Sequence, residues 1–466
     1  MGVTLFWQCP SLMITGNIQK LIALFNEAFR DLELDVPLEK IESLAVRVHV
    51  AMTAHTRIFH SLNHVFNFVD PANPIRTLAA LYHDLVYYQV DSGFAPAIEP
   101  IIAPYVCRRR GRFCVARAIS PDDRLIWLTL DVFNLKPGQH ISSVDALNEF
   151  LSAVVMVKEL EGIVSDADML RMILCIEATI PFRGRDANNL SHFEHQERRL
   201  GEIIRKYGIV LDQDQIETAV KMAVIFANKD IENFAERDPA RFLDNTWRLL
   251  PETNPALRTH AIYTIRDYRV ALDKMEVFLS NLDPEQVFNR YRGAPPDDEY
   301  DFMVQCARRN IFTAREYLRI KLLGVAVLEA LAEVTGGDAP LLLFTGDVPR
   351  EATSFKRIES YLPEIDDTIP WVDRSSIIYH LLEVGRSGES GFDTKNSPLS
   401  LFIYKSLEPD QRSRAFDTAK GMFAGKVSAR DFLRSIDRSV VMAIAYASAQ
   451  MVYTRREKLL HLNLDD

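Results

Sequence analysis

The sequence predicts a mainly α protein built in two helical parts, and three observations predict it. Apolar residues recur at three- and four-residue intervals over most of the chain, strand-like alternation is scarce, and one break in the pattern combines a Gly, a Pro pair and an acidic run.

Taken in order, that spacing predicts helices over residues 17–32, 38–54, 61–70, 74–88, 144–159, 166–177, 191–206, 214–233 and 255–282. Ser143 or Asp145 is the expected start of the helix through Leu151, and Ser165-Asp166 that of the helix through Ile176, because short polar side chains accept from the free amides of a first turn. Residues 341–344 and 115–126 are the two runs that invite a strand reading. The stretch 292–299 marks a domain boundary between residues 1–292 and a second all-helical domain at 300–466. In the second domain, helices are expected over 301–334, 354–362, 375–384, 411–423 and 429–453, with irregular segments at 336–350 and 385–400. Gly388, Gly391, Asp393 and Lys395 are able to form a phosphate-holding loop but match no spaced motif, so a plain surface loop is the favoured reading.

A chain of 466 residues is long enough for two or three domains with their own cores, and 48% hydrophobic with 25% charged residues is ordinary globular composition. No apolar run reaches the roughly 18–20 residues a bilayer span requires, so no membrane partner is expected. Residues 1–6 lack a basic segment and a small-residue cleavage site, and Phe6 stands where a myristoylation signal wants Ser or Thr. Five cysteines (Cys9, Cys107, Cys114, Cys175 and Cys306) form an odd, scattered set rather than a disulfide framework, which fits a reducing cytoplasmic location. A net charge of -10 argues against a general nucleic-acid binder.

The chemistry concentrates between Phe59 and Tyr88. His60 and His64 are spaced as an i, i+4 pair that shares a helix face, and His83 adjoins Asp84. A long imidazole and a short carboxylate reach one ion from neighbouring positions, and the mixed nitrogen and oxygen set suits Mn, Fe, Zn, Co or Ni better than Mg or Ca. Taken singly, each histidine is more simply a hydrogen-bonded core residue; together with acids they need a common partner. Arg108, Arg109, Arg110, Arg112 and Arg117 form the sharpest basic cluster, read either as a phosphate clamp or as an exposed basic loop. Cys107 and Cys114 have no companion pair for a zinc site.

These residues resemble the HD superfamily of metal-dependent phosphohydrolases, in particular its small bacterial branch reading YHxxxHV, FHDxxY, NExxSA and a late helical Asp. Here Phe59 to Val65, Tyr82 to Tyr87, Asn148 to Ala153 and Ala227 to Asn233 match those elements, over about residues 20–282 and not beyond. The resemblance implies an HD-type helical bundle with His60, His83, Asp84 and Asp230 as metal ligands. It gives His64 a second ion or a substrate phosphate to hold, and places Glu149 close by. Asp84, His64 and Glu149 are thus the catalytic candidates, acting on a small phosphorylated substrate such as a nucleotide. The chain departs from the pattern by an insertion at about 93–142, and by Phe182-Arg183 where relatives often carry a His. His192 or His195 could replace that His, and Arg183 and Arg185 could contact substrate phosphate. Two rival readings keep the scaffold. One is a di-iron oxygenase using His60, His64, His83, Asp84, Glu149 and Asp230. The other is a non-enzymatic scaffold acting through residues 300–466, the part also expected to regulate the protein or to pair copies of the chain.

Overall fold

The computed structural model describes residues 16–142, 146–259, 262–346, 356–366 and 369–464. The fold is mainly α. The expectations for residues 1–6 and for a cap at Ser143 or Asp145 fall outside the described residues.

The chain divides into two compact units, one formed by 1–230 with 289–295 and the other by 231–288 with 296–466. The chain passes from one unit to the other after Asp230, after Phe288 and after Pro295, the last inside the stretch 292–299. Residues 231–288 pack with the later helices, and only a short return segment rejoins the first unit.

In the first unit two helices form the centre. Leu147–Leu160 is buried on nearly every face, from Leu147 and Phe150 through Val157 to Leu160, as is Asp166–Ala178 from Met169 to Ala178. A helix apolar all round has no solvent face and belongs inside a bundle. Each fully buried Phe or Leu contributes about 1.5–3 kcal/mol through removal from water. Around this pair pack Asn17–Asp31, Leu38–Met52, Pro74–Tyr82, Arg124–Val132, His192–Tyr207 and Gln213–Asp230. The caps follow the chemistry of the first turn: Ser165 accepts from the Asp168 amide, and Ser191 and Glu194 form a reciprocal capping box.

Several elements differ from the expected bounds. The helix expected over 61–70 begins only at Leu62, and the one expected over 74–88 ends at Tyr82, where the dyad forms a turn. Residues 115–126 are not a strand; a helix starts at Arg124. The insertion at 93–142 contains that helix and a small antiparallel sheet of Val106–Arg109, Arg112–Val115 and His140–Ile141 in sequential order. Its arginines Arg108, Arg109, Arg110 and Arg112 lie exposed around a two-residue hairpin turn, with Arg108 over the Phe113 ring at 5.5 Å.

The second unit is organised on a forty-residue helix, Asp297–Gly336, flanked by Ile265–Asn281 and the later helices. The helix expected over 255–282 is a 3₁₀ turn, Pro255–Arg258, followed by Ile265–Asn281, and residues 341–345 are a short helix rather than a strand. The Gly-rich segment after Gly385 is no phosphate loop. Asp393 is drawn into the interior, 3.0 Å from Lys321 and 3.3 Å from Arg386, and accepts from the Trp247 indole at 2.9 Å. The Asp244 carboxylate beside Gly388 would repel an anion.

Candidate metal centre

Four side chains from three helical segments of the first unit converge. His64 lies on Leu62–Phe68, His83 caps Pro74–Tyr82, Asp84 follows it in the turn, and Asp230 ends Gln213–Asp230. One ligand atom of each falls within 4.8 Å of all the others. His64 Nε2 is 3.4 Å from His83 Nε2, 3.5 Å from Asp84 Oδ2 and 3.2 Å from Asp230 Oδ1. His83 Nε2 is 3.2 Å from Asp84 Oδ2 and 3.5 Å from Asp230 Oδ1.

These separations suit a cation. Donors spaced in this way correspond to donor–metal distances of about 2.0–2.1 Å in tetrahedral coordination, the usual length for imidazole and carboxylate ligands of zinc. Asp84 Oδ2 is buried and faces the imidazole nitrogens of His83 and His64 at 3.2 and 3.5 Å, a position from which it could ligate an ion. His83 Nδ1 lies 2.8 Å from the Ala80 carbonyl, which can only accept. One proton is thereby fixed on Nδ1 and Nε2 faces the cluster, protonated when no ion is present and able to ligate once that proton is lost, as in metal-ligating histidines.

The electrostatics describe the same demand. With protons as the only cations, burial alone would lower the His83 imidazole, but Asp84 and Asp230 outweigh it and push it up to about 10. Burial opposes ionisation of Asp84, and the surrounding imidazoles, His83 first, hold its carboxyl well below the usual range. Asp230 is lowered against the same burial by its hydrogen bonds with His64 and His83. Two half-buried acids thus favour positive charge between them, a proton on His83 or an ion in its place.

Of the residues expected as ligands, His83, Asp84 and Asp230 converge with His64, and His60 is not among these four. His60 precedes the helix that starts at Leu62, so the i, i+4 helix-face spacing does not set its position relative to His64. The His60 ring lies 5.9 Å from that of His64 and 4.4 Å from that of Tyr87, and its charge helps to lower Asp84. Glu149 is outside the converging four. Desolvation raises its carboxyl to about 7, reinforced by Asp84 and Asp230 and opposed by Arg183.

Arg183 is held by Glu177, at 2.7 Å to the carboxylate and 2.9 Å to the carbonyl. Arg185 instead bonds the Asn189 carbonyl and lines an open cavity with Glu194, Arg198, Tyr291 and Arg292, which none of the four donors lines. Neither His192 nor His195 joins the cluster: His192 pairs with Glu177 and His195 with Asp186, each at 2.8 Å.

Three residues without an expected role hold the site in place. Arg57, fully buried, donates to the Asp84 carbonyl at 2.7 Å and the Leu85 carbonyl at 3.3 Å, while its fork grips Asp91 at 2.8 and 2.6 Å. Asn148 and Ser152, one turn apart on the central helix, accept from the amides of Tyr88 and Val86 at 3.1 and 3.0 Å. The Asn and Ser of the NExxSA pattern therefore fasten the loop that follows His83-Asp84. No family model, curated protein or solved structure matches the chain. Among the described residues, no helix is long and apolar enough to cross a membrane.

Proposed function

We propose that the first unit is a metal-dependent phosphohydrolase of the HD type, acting on a phosphate ester such as a nucleotide. The observation that carries this reading is the convergence of one ligand atom each from His64, His83, Asp84 and Asp230 within 4.8 Å of one another. A divalent transition-metal ion held there would acidify a water molecule and polarise a phosphoryl oxygen.

The chain supplies the rest. Glu149, with its carboxyl near 7, is poised to take a proton from water or to hand one to a leaving oxygen at neutral pH. Arg183, anchored by Glu177, places a fixed positive charge that Glu149 senses and that suits the anionic group of a phosphate ester. Arg57, Asn148 and Ser152 keep the dyad and its loop from relaxing when charge develops. His60 and Glu149 lie outside the converging four, which favours one ion and hydrolysis over the two-iron oxygenase reading.

The test is phosphate release from phosphomonoesters, cyclic dinucleotides and nucleoside triphosphates, with Mn, Fe, Zn, Co or Ni added. Metal-dependent turnover that disappears in Asp84→Ala is expected. A well-folded, metal-loaded protein that turns over none of them would overturn the hydrolase reading and leave the metal centre standing.

A further inference from the structure

We propose that Cys107 and Cys114 form a thiol–disulfide redox site, closing to a cross-strand disulfide when the protein meets an oxidised low-molecular-weight thiol. The two residues are direct partners in the register of the Val106–Arg109 and Arg112–Val115 hairpin. Their side chains therefore leave the same face of the sheet, and closing the bond draws their Cβ atoms in from about 4.5–5.5 Å to about 3.5–4.5 Å.

The turn fixes this pairing. Arg110 and Gly111 both take positive φ, 49° and 80°, so the connection is a two-residue type I′ turn closed by Arg109 and Arg112. Hydrogen-bonded and non-hydrogen-bonded pairs alternate away from the turn, which puts Cys107 and Cys114 at a hydrogen-bonded position with Cα atoms about 5.5 Å apart. That is inside the 4.4–6.8 Å range that disulfides span. A one-residue slip would separate the thiols, but it would also turn Val115 and Ile141, both buried, toward the opposite face.

The third strand adds an imidazole. His140 pairs directly with Cys114, so thiol, thiol and imidazole stand in one row across the sheet. Arg109 and Arg112 lie on that same face. Cys107, half-exposed on the edge strand, is the attacking group. Cys114 is buried, and burial pushes its thiol up, which makes it the resolving partner.

The chemistry balances with a glutathione-type disulfide as oxidant. The Cys107 thiolate attacks one sulfur of the oxidant, forming a mixed disulfide as the first thiolate leaves. Cys114 gives its proton to His140 or to water and attacks the Cys107 sulfur, releasing the second thiolate. Two electrons pass from the cysteine pair to the oxidant, and the two protein thiol protons end on the two small thiols.

The experiment uses the full chain, reduced and then exposed to excess oxidised glutathione, with thiol counting and tryptic mapping. Cleavage at Arg108, Arg109, Arg110 and Arg112 falls between the cysteines, so the bond shows as two peptides joined through sulfur. Loss of two thiols, a Cys107–Cys114 link and full reversal by dithiothreitol are expected, with Cys175 and Cys306 still reduced. Cys114→Ser should instead accumulate a lasting glutathione adduct on Cys107, a result that a purely structural cysteine would not give. The proposal is overturned if both thiols stay reduced, if Cys107 links to any other cysteine, or if added zinc protects Cys107, Cys114 and His140 together, which would make the row a metal site.

Discussion

The guanidinium of Arg57 donates to the main-chain carbonyl of Asp84 at 2.7 Å, so the turn that presents the acidic half of the dyad is held from behind by a buried cation. The same fork is neutralised by Asp91, and the arrangement ties the approach to the first site helix to the loop after the dyad.

Arg57→Met should remove that clamp and leave Asp91 as a poorly compensated acid, at a cost of about 3–5 kcal/mol. Metal affinity should fall about 10–100-fold, as when supporting residues around metal ligands are lost. Arg57→Lys should recover only part of both, because an ammonium cannot reproduce the fork. Urea unfolding and metal titration measure the two effects. Unchanged affinity in Arg57→Met would remove Arg57 from the support of the site.

Ser152→Ala should leave the buried Val86 amide without its acceptor, costing about 1–3 kcal/mol. Loosening of the loop after Asp84 should appear as faster hydrogen exchange at Val86 and Tyr88 than in the parent protein. Equal exchange in both would contradict the fastening role.

Acid stability should depend on Glu177. Burial would raise its carboxyl, but Arg183 and His192 hold it well below the usual range. A depressed acid stabilises the fold above its unfolded value of about 4.3 and loses that contribution as pH falls toward its folded value. His192 is shifted down, chiefly by burial and against the pull of Glu177, so its protonation below about pH 6.5 also favours the unfolded chain. Both slopes have the same sign. Stability measured between pH 3 and 7 should decline toward acid, and Glu177→Gln should flatten the part below about pH 4.5. Identical profiles for the two proteins would refute this.

Metal and proton should compete at His83. Its imidazole, up at about 10 when only protons are present, must lose one to become a ligand, so metal addition near neutral pH should release about one proton per ion. Affinity should weaken as pH falls. A pH indicator in weak buffer measures the release, and binding without it would mean that His83 is not a ligand.

Much of this was legible in the sequence, for reasons that particular residues make plain. The long amphipathic stretches and the dyad are local signals, so the helices and the pairing of His83 with Asp84 were visible, while Asp230, now seen beside them, was reached only through the resemblance. The grouping of His64 rather than His60 with these residues was not, because helix spacing was applied to a residue that precedes the helix. Residues 341–344 and 115–126 show the same weakness, since short apolar runs do not distinguish strand from helix. Arg57 and Asp91 carry no periodic signal and acquire their role only when the chain folds back over the dyad. The Cys107 and Cys114 pairing was hidden in the same way, although the Arg110-Gly111 step between them is a turn signal that could have revealed it.

The account stands most directly on metal content. Protein purified without added metal, or reconstituted from the stripped chain, should bind one transition-metal ion per chain by mass spectrometry, fall well below that in Asp84→Ala and His64→Ala, and stay near one in His60→Ala. Equal metal load in wild type and Asp84→Ala, both folded, would contradict it.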